Sequence, residues 1–223
     1  MTSAPVGFDL DMTLIDSRRV ILESFAGLAG DSGVAIDPAQ VDRRLGIKLE
    51  DEIAYWFPPG QIDDAVRAYR AHYLKLLRPL TRLLPGAAEA LAAVRAAGAR
   101  AVVVTAKHVV TARLSLESVG LAADELFASV HGQGKAVVLA RIGAAVYVGD
   151  TPADMAAAAS AGARSVGVTT GSFTAADLRA AGADDVLASL TDFPPFYQKI
   201  RDAGNVQLTG YRYGIRPYMP PIT

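Results

Sequence analysis

The chain has 223 residues, 51% of them hydrophobic, enough for one large domain or for a core carrying a smaller inserted one, and too apolar for a disordered chain. Its 22 Lys and Arg stand against 23 Asp and Glu, a net charge of −1, so no overall positive field gathers nucleic acid. There is no Cys, which excludes disulfides and thiolate chemistry and makes the cytoplasm the expected compartment.

Mean hydropathy is positive because alanine is abundant, yet no apolar run approaches the ~20 residues of a membrane helix. The N-terminus lacks a basic region followed by an apolar stretch, so no secretion signal is expected. Val6 to Asp9 follows Pro5, is short and apolar, ends in an acid, and reads as a buried strand. Arg18 to Leu28 has helical spacing. Pro38 to Leu45, Leu49 to Trp56 and Ile62 to Leu77 follow as helices, with Pro58-Pro59-Gly60 breaking the last two apart. Pro85-Gly86 marks a boundary, and Ala87 to Ala97 is a helix ended by Gly98. Arg100 to Thr105, Leu126 to Val130, Ala144 to Gly149 and Ser165 to Val168 read as strands. Between them lie helices over Ala112 to Val119, Lys135 to Ile142 and Pro152 to Ala161. Strands alternating with helices predict an α/β fold, a Rossmann-like parallel sheet covered on both faces.

The helical stretch after the first strand is too long for a crossover and is expected to be an inserted α-helical cap. The predicted organisation is a core of residues 1–14 and 85–195, a cap of residues 15–84, and an irregular tail from 196 to 223. Ligands of open parallel sheets bind beyond the carboxyl ends of the strands, so a cap inserted there covers the site.

Acidic residues gather at those ends. Asp9-Leu10-Asp11-Met12-Thr13 follows the first strand, and Gly149-Asp150-Thr151-Pro152-Ala153-Asp154 follows the strand at Ala144 to Val148. Each alone also suits a capped turn, since Asp and Thr favour such positions. Two acidic clusters at two central strands need more than capping, and a divalent cation compensates their repulsion. Oxygen ligands alone suit magnesium better than zinc. The Thr105 hydroxyl and the free amides of Thr105-Ala106-Lys107 stand where a phosphate oxygen can be held at a helix start, and a lone Thr there equally suits a plain cap. Lys135 follows Gly132-Gln133-Gly134 and brings a cation before the next strand. In the cap, Arg43 and Lys48 flank Gly46 and are candidate contacts to an anionic substrate.

Asp-x-Asp-x-Thr, then Thr105, Lys135 and Gly-Asp-x-x-x-Asp, in this order, resemble the four motifs of the haloacid dehalogenase-like hydrolases. Leu84-Pro85-Gly86, Gly98 and Thr105-Ala106-Lys107 look like the phosphoglycolate phosphatase and β-phosphoglucomutase branch, whose helical cap has this position. Lys135 lacks the following proline that many members have, which leaves the subfamily open. The resemblance implies Asp9 as nucleophile, Asp11 as acid and base, and magnesium held by Asp9, Asp150 and the backbone of Asp11. Asp154 then orients the metal waters or binds directly, and Thr105, Ala106 and Lys135 bind the phosphoryl group. The second acid, Asp11, argues for phosphate esters, because an alkoxide leaving group needs a proton donor that dehalogenases do not. The implied substrate is a small phosphorylated metabolite, and the protein a monomer or homodimer without nucleic-acid or membrane partners.

Two rivals remain: a sugar phosphomutase with the same motifs, and a non-catalytic binding protein on this scaffold, which has no need of Asp9, Asp11 and Asp150 together. His72, His108 and His131 receive no role, and Tyr55, Trp56 and Phe57 are expected to pack the cap core. The run from Arg201 to Thr223, with Tyr211, Tyr213 and Tyr218, is read as a disordered tail or a non-native extension rather than a partner-binding arm.

Overall fold

A computed structural model describes residues 3–204. The chain begins with β1 (Val6–Phe8), whose three residues are buried and apolar. A two-residue strand, β2 (Ile15–Asp16), opens the cap, which contains α1 (Arg18–Ser32), α2 (Pro38–Arg43), α3 (Leu49–Trp56) and α4 (Ile62–Leu80). The return strand β3 (Arg82–Leu83) pairs antiparallel with β2, matching Ile15 to Leu83 and Asp16 to Arg82. The core then runs α5 (Ala87–Ala96), β4 (Ala101–Val104), α6 (Val109–Ser118), β5 (Glu125–Phe127), α7 (Gln133–Ile142), β6 (Val146–Gly149), α8 (Pro152–Ala161), β7 (Arg164–Val168), α9 (Ala175–Ala180), β8 (Asp185–Leu187) and α10 (Phe193–Asp202).

The strands form one parallel sheet in the order β5-β4-β1-β6-β7-β8. β4 and β6 are buried along their whole length, as continuous apolar runs covered on both faces must be. Packing falls into separate clusters. One side of the sheet packs Phe8, Leu91, Val103, Val148 and Phe193; the other packs Val102, Leu139, Tyr147 and Ala158. The cap has its own cluster, built on Phe25, Leu28, Ile53, Tyr69 and Leu77, with Leu114 of α6 packed against it.

Sequence reading missed the paired stem β2–β3 and the elements α9, β8 and α10. A two-residue strand has too little pattern to be seen. The expected irregular tail starts too early: residues 196–202 belong to α10. Pro194 and Pro195 look like breakers but occupy its first turn, where proline sacrifices no hydrogen bond. Phe193, Tyr197 and Ile200 then recur at helical spacing and are buried, with the Phe193 ring edge-on to Phe8 at 5.4 Å. The part of the tail reading that concerns residues 205–223 lies outside the described residues. Among the described residues no helix is long and apolar enough to cross a membrane.

Gly86 stands at the boundary that Pro85-Gly86 marks in the sequence. Its φ is +83°, and a side chain there would run into the backbone of Leu190 and Thr191. The glycine is needed for that close approach, so the joint is packed rather than free.

Candidate active site

Strand order reverses at β1: the chain moves outward through β4 and β5 on one side, then through β6, β7 and β8 on the other. The crevice beyond the carboxyl ends of β1, β4 and β6 is the point where open α/β sheets bind ligands. Asp9 follows β1, Thr105 follows β4 and Asp150 follows β6.

The first acidic segment is folded by its own backbone. The amides of Thr13, Leu14 and Ile15 all donate to the Leu10 carbonyl, at 3.3, 2.9 and 3.1 Å. This tight loop puts Met12 at φ +57°, a conformation that costs roughly 1–2 kcal/mol in an L-residue. The Thr170 hydroxyl donates to the Met12 carbonyl, and the Asp9 amide donates to Val148 O at 2.8 Å. Thr13 is fully buried, and its hydroxyl donates to Asp150 Oδ1 at 2.9 Å, joining the two acidic segments. Thr13 and Asp150 each belong to a motif read from the sequence, but their pairing across 137 positions carries no sequence signal.

Asp9, Asp150 and Asp154 are buried, and one carboxylate oxygen of each lies within 4.8 Å of the others. Burial raises the Asp9 pKa to about 6; Lys135 opposes the rise, while Asp154 and Asp11 add to it. Burial also pushes Asp150 well above the usual carboxylate range, reinforced by Asp154 and Asp9. Burial works against the Lys135 ammonium too, but Asp154 and Asp9 outweigh it and hold its pKa well above the ordinary lysine value. Lys135 Nζ donates to Asp154 Oδ1 at 2.7 Å. It also stands 3.0 Å from Asp9 Oδ1, so one ammonium is paired with both carboxylates. Three buried carboxylates this close together, offering oxygen donors only, fit a hard divalent cation.

Asp154 is the third carboxylate of this group and is also held by protein donors. Its Oδ2 accepts from the Thr151 hydroxyl at 2.6 Å and the Thr151 amide at 3.2 Å, closing a capping box at the start of α8. Its Oδ1 takes Lys135, with the Tyr147 hydroxyl 3.2 Å away. Both oxygens are therefore committed to protein donors. Gly149 lets this happen, because a side chain there would overlap Asp154.

Thr105 is buried and its hydroxyl accepts from the Lys107 amide at 3.2 Å. Asp9, Asp11, Thr105, Ala106, Lys135, Asp150 and Lys48 line one cavity of about 570 Å³ between core and cap. Arg43 does not. It is exposed and borders a separate shallow depression with Arg18 and Ser172. The reason is helical phase: Arg43 ends α2 on its outer side, and the next residue, Arg44, turns inward to Glu52. Tyr55 is likewise not in the cap core but 55% exposed, with Arg44 over its ring at 4.2 Å. His72 meets Asp31 at 2.7 Å, and His108 caps α6 at the cavity's edge.

Lys107 received no role from the sequence, although its segment was marked. Its side chain is only 7% exposed, donates to Asp11 Oδ1 at 2.7 Å and contacts the Tyr73 hydroxyl of α4. Burial disfavours its charge, but Asp11 and Tyr73 overcome that and raise its pKa above the ordinary lysine value. The partners explain the omission, since one comes from the other acidic loop and the other from the cap.

Comparison with known proteins agrees with this geometry. The family model described as "Haloacid dehalogenase-like hydrolase" matches residues 6–135, and a second, HAD-hydrolase-like model matches residues 122–193. The chain is 29% identical over 194 residues to a Dickeya dadantii protein named "Probable phosphatase IndB", covering 78% of this chain and 84% of that one. It is also 31% identical over 115 residues to the Mycobacterium tuberculosis protein named "Tyrosine-protein kinase PtkA", but that match spans only 40% of the latter. Among solved structures, a haloacid dehalogenase-like family hydrolase from Streptococcus pneumoniae superposes with a TM-score of 0.77 at 23% identity, covering 88% of this chain and 99% of that one. A protein from Clostridium acetobutylicum described as "a predicted phosphatase" gives 0.78 at 21%, over 89% and 100% of the two chains. At such identities the structural likeness speaks for the fold.

Proposed function

Because the chain belongs to the haloacid dehalogenase-like hydrolase family, we propose that it hydrolyses phosphate monoesters through an aspartyl-phosphate on Asp9. The observation that carries this reading is the Asp9 carboxylate at the sheet's switch point, buried, grouped with Asp150 and paired with Lys135 at 3.0 Å.

In the first step an Asp9 oxygen attacks phosphorus, and the bond from phosphorus to the ester oxygen breaks. Asp11 gives its proton to the departing alkoxide, so the alcohol leaves neutral. In the second step Asp11 takes a proton from water as that water attacks the phosphoryl group, releasing inorganic phosphate and restoring Asp9. Thr105, the amide of Ala106 and Lys135 are the groups assigned to the phosphoryl oxygens, whose charge must be matched throughout. Asp154 fixes Lys135, and Lys107 fixes the Asp11 carboxylate at the mouth of the cavity. The residues that would hold magnesium are Asp9, Asp150 and the Asp11 carbonyl, and the ion would supply charge neutralisation at the phosphoryl group.

The test is release of inorganic phosphate from a panel of phosphate monoesters. Release that requires magnesium, stops with chelator and is absent in Asp9→Asn is expected. Full activity after exhaustive chelation, or an isomerised sugar phosphate without phosphate release, contradicts the reading, the latter in favour of a mutase.

A further inference from the structure

The cap touches the core at residues that surround Asp150. Two contacts come from the end of α2 and the turn after it. The Ser172 hydroxyl donates to the Asp42 carbonyl at 3.1 Å. Gly46 faces the Thr151 methyl group so closely that a Cβ on it would come within 3.2 Å. Thr151 follows Asp150 in the chain, and its hydroxyl and amide hold Asp154.

Ser172 belongs to the loop that follows β7, and that loop is built onto both acidic segments. Thr170 donates its hydroxyl to the Met12 carbonyl, in the turn after Asp11. Gly171 lies against Asp150, and a side chain there would overlap the carboxylate at Oδ2 and come within 2.9 Å of Cγ. Its φ lies outside the left-handed region, so glycine is required here for room and not for backbone conformation. Asp150 is therefore fixed at both oxygens. Thr13 donates to Oδ1 at 2.9 Å, and the Gly171 backbone closes on Oδ2. Groups that aim a cation's ligand before the ion arrives share in the affinity for it.

On the magnesium site of the proposed function, we infer that Gly171 and Ser172 are positioning residues for Asp150, and that through Ser172 the cap shares in the affinity for the cation. The path of contact is short: Asp42 of the cap, Ser172, Gly171, Asp150. With the cap seated, Ser172 is tied and Gly171 stays against the carboxylate. With the cap lifted, the loop loses that tie and Thr151 loses its neighbour at Gly46. Cap seating and cation binding therefore favour each other, and by linkage each strengthens the other by the same factor. This coupling needs no substrate, which separates it from closure of the cap over a bound ester.

The measurement is calorimetric titration of the substrate-free protein with magnesium chloride, for the wild type, Ser172→Ala and Gly171→Ala. Ser172 is exposed, so its replacement removes the tie to the cap without disturbing a core. Ser172→Ala is expected to weaken magnesium binding by about two- to tenfold at an unchanged Tm in chelator. Gly171→Ala, which pushes on the carboxylate itself, is expected to weaken it by about tenfold or more. Where Gly171→Ala fails to fold, Ser172→Ala carries the test alone. Magnesium should also slow amide hydrogen exchange over residues 41–47 of the wild type, and by less in Ser172→Ala. Magnesium bound as tightly by Ser172→Ala as by the wild type, or cap exchange that magnesium leaves unchanged, overturns this inference and leaves the phosphatase standing. A wild-type chain that binds no magnesium overturns the metal site of the proposed function as well.

Discussion

Asp9 illustrates how function and stability pull apart at a single residue. Its carboxyl has a pKa of about 6 in the folded chain against 3.8 ordinarily. A folded-state pKa raised in this way favours folding below pH 3.8, and that contribution is lost as pH rises through about 6. At neutral pH the ionised Asp9 therefore costs stability unless a cation compensates it. Asp9→Asn should abolish turnover and yet stabilise the metal-free protein at pH 7–8 by about 1–3 kcal/mol, read from urea unfolding in chelator. The wild-type chain should lose stability between pH 4 and pH 7 more steeply than the variant. A variant that is destabilised, or that keeps more than a few per cent of the rate, contradicts this. Lys135 should behave oppositely. Lys135→Met strands Asp154 in the interior and should cost about 3–5 kcal/mol as well as activity. Asp9→Asn should stabilise the Lys135→Met variant by more than it stabilises the wild-type chain, because the two residues are coupled by contact. Equal gains in the two backgrounds would mean that Lys135 acts on Asp154 alone.

Elements were legible in proportion to the pattern they carry. α3 and α8 match their expected bounds because each begins and ends on a clear signal: Lys48 with a first-turn acid run, and Thr151-Pro152 with Gly162 at the far end. β1, β4 and β6 were visible as short apolar runs ending in Asp or Thr, and those endings placed the site. The β2–β3 stem was not visible, because pairing of Ile15 with Leu83 is a contact across the whole cap. The same limit hid the links that complete the site. Thr13 to Asp150, Lys107 to Asp11 and Lys107 to Tyr73 each join distant segments. Arg43 was chosen over Arg44 because composition marks a basic loop but not which neighbour turns inward. The stem carries its own prediction. Gly86→Ala meets both the left-handed φ and the backbone of Leu190 and Thr191, so it should destabilise by more than the ~1 kcal/mol of an ordinary glycine replacement. Thermal unfolding would check this, and an unchanged Tm would show that the joint is looser than its packing implies.

At the scale of the molecule, core and cap are held as two packed bodies that meet over the carboxylates. The Ser172 hydroxyl donates to the Asp42 carbonyl at 3.1 Å, and Tyr73 of the cap contacts Lys107 of the core. The core lines the cavity with the acids, Thr105 and Lys135, and the cap lines it with both apolar and charged side chains. On the proposed function this division leaves chemistry to the core and choice of substrate to the cap, and it makes cap contacts such as Tyr73 a link between binding and the position of Asp11. Tyr73→Phe should then lower kcat more than it raises KM, because it loosens Lys107 while leaving the rest of the cavity's lining intact; a pure KM effect would assign Tyr73 to substrate contact instead. The central claim concerns one bond, the one from Asp9 to phosphorus. The direct measurement is to stop turnover with acid, reduce acyl-phosphates with borohydride, and read the peptide containing Asp9 by mass spectrometry. Conversion of Asp9 to homoserine only when substrate and magnesium are both present is the predicted result. Sustained turnover with Asp9 unmodified, or modification of another carboxylate, would contradict it.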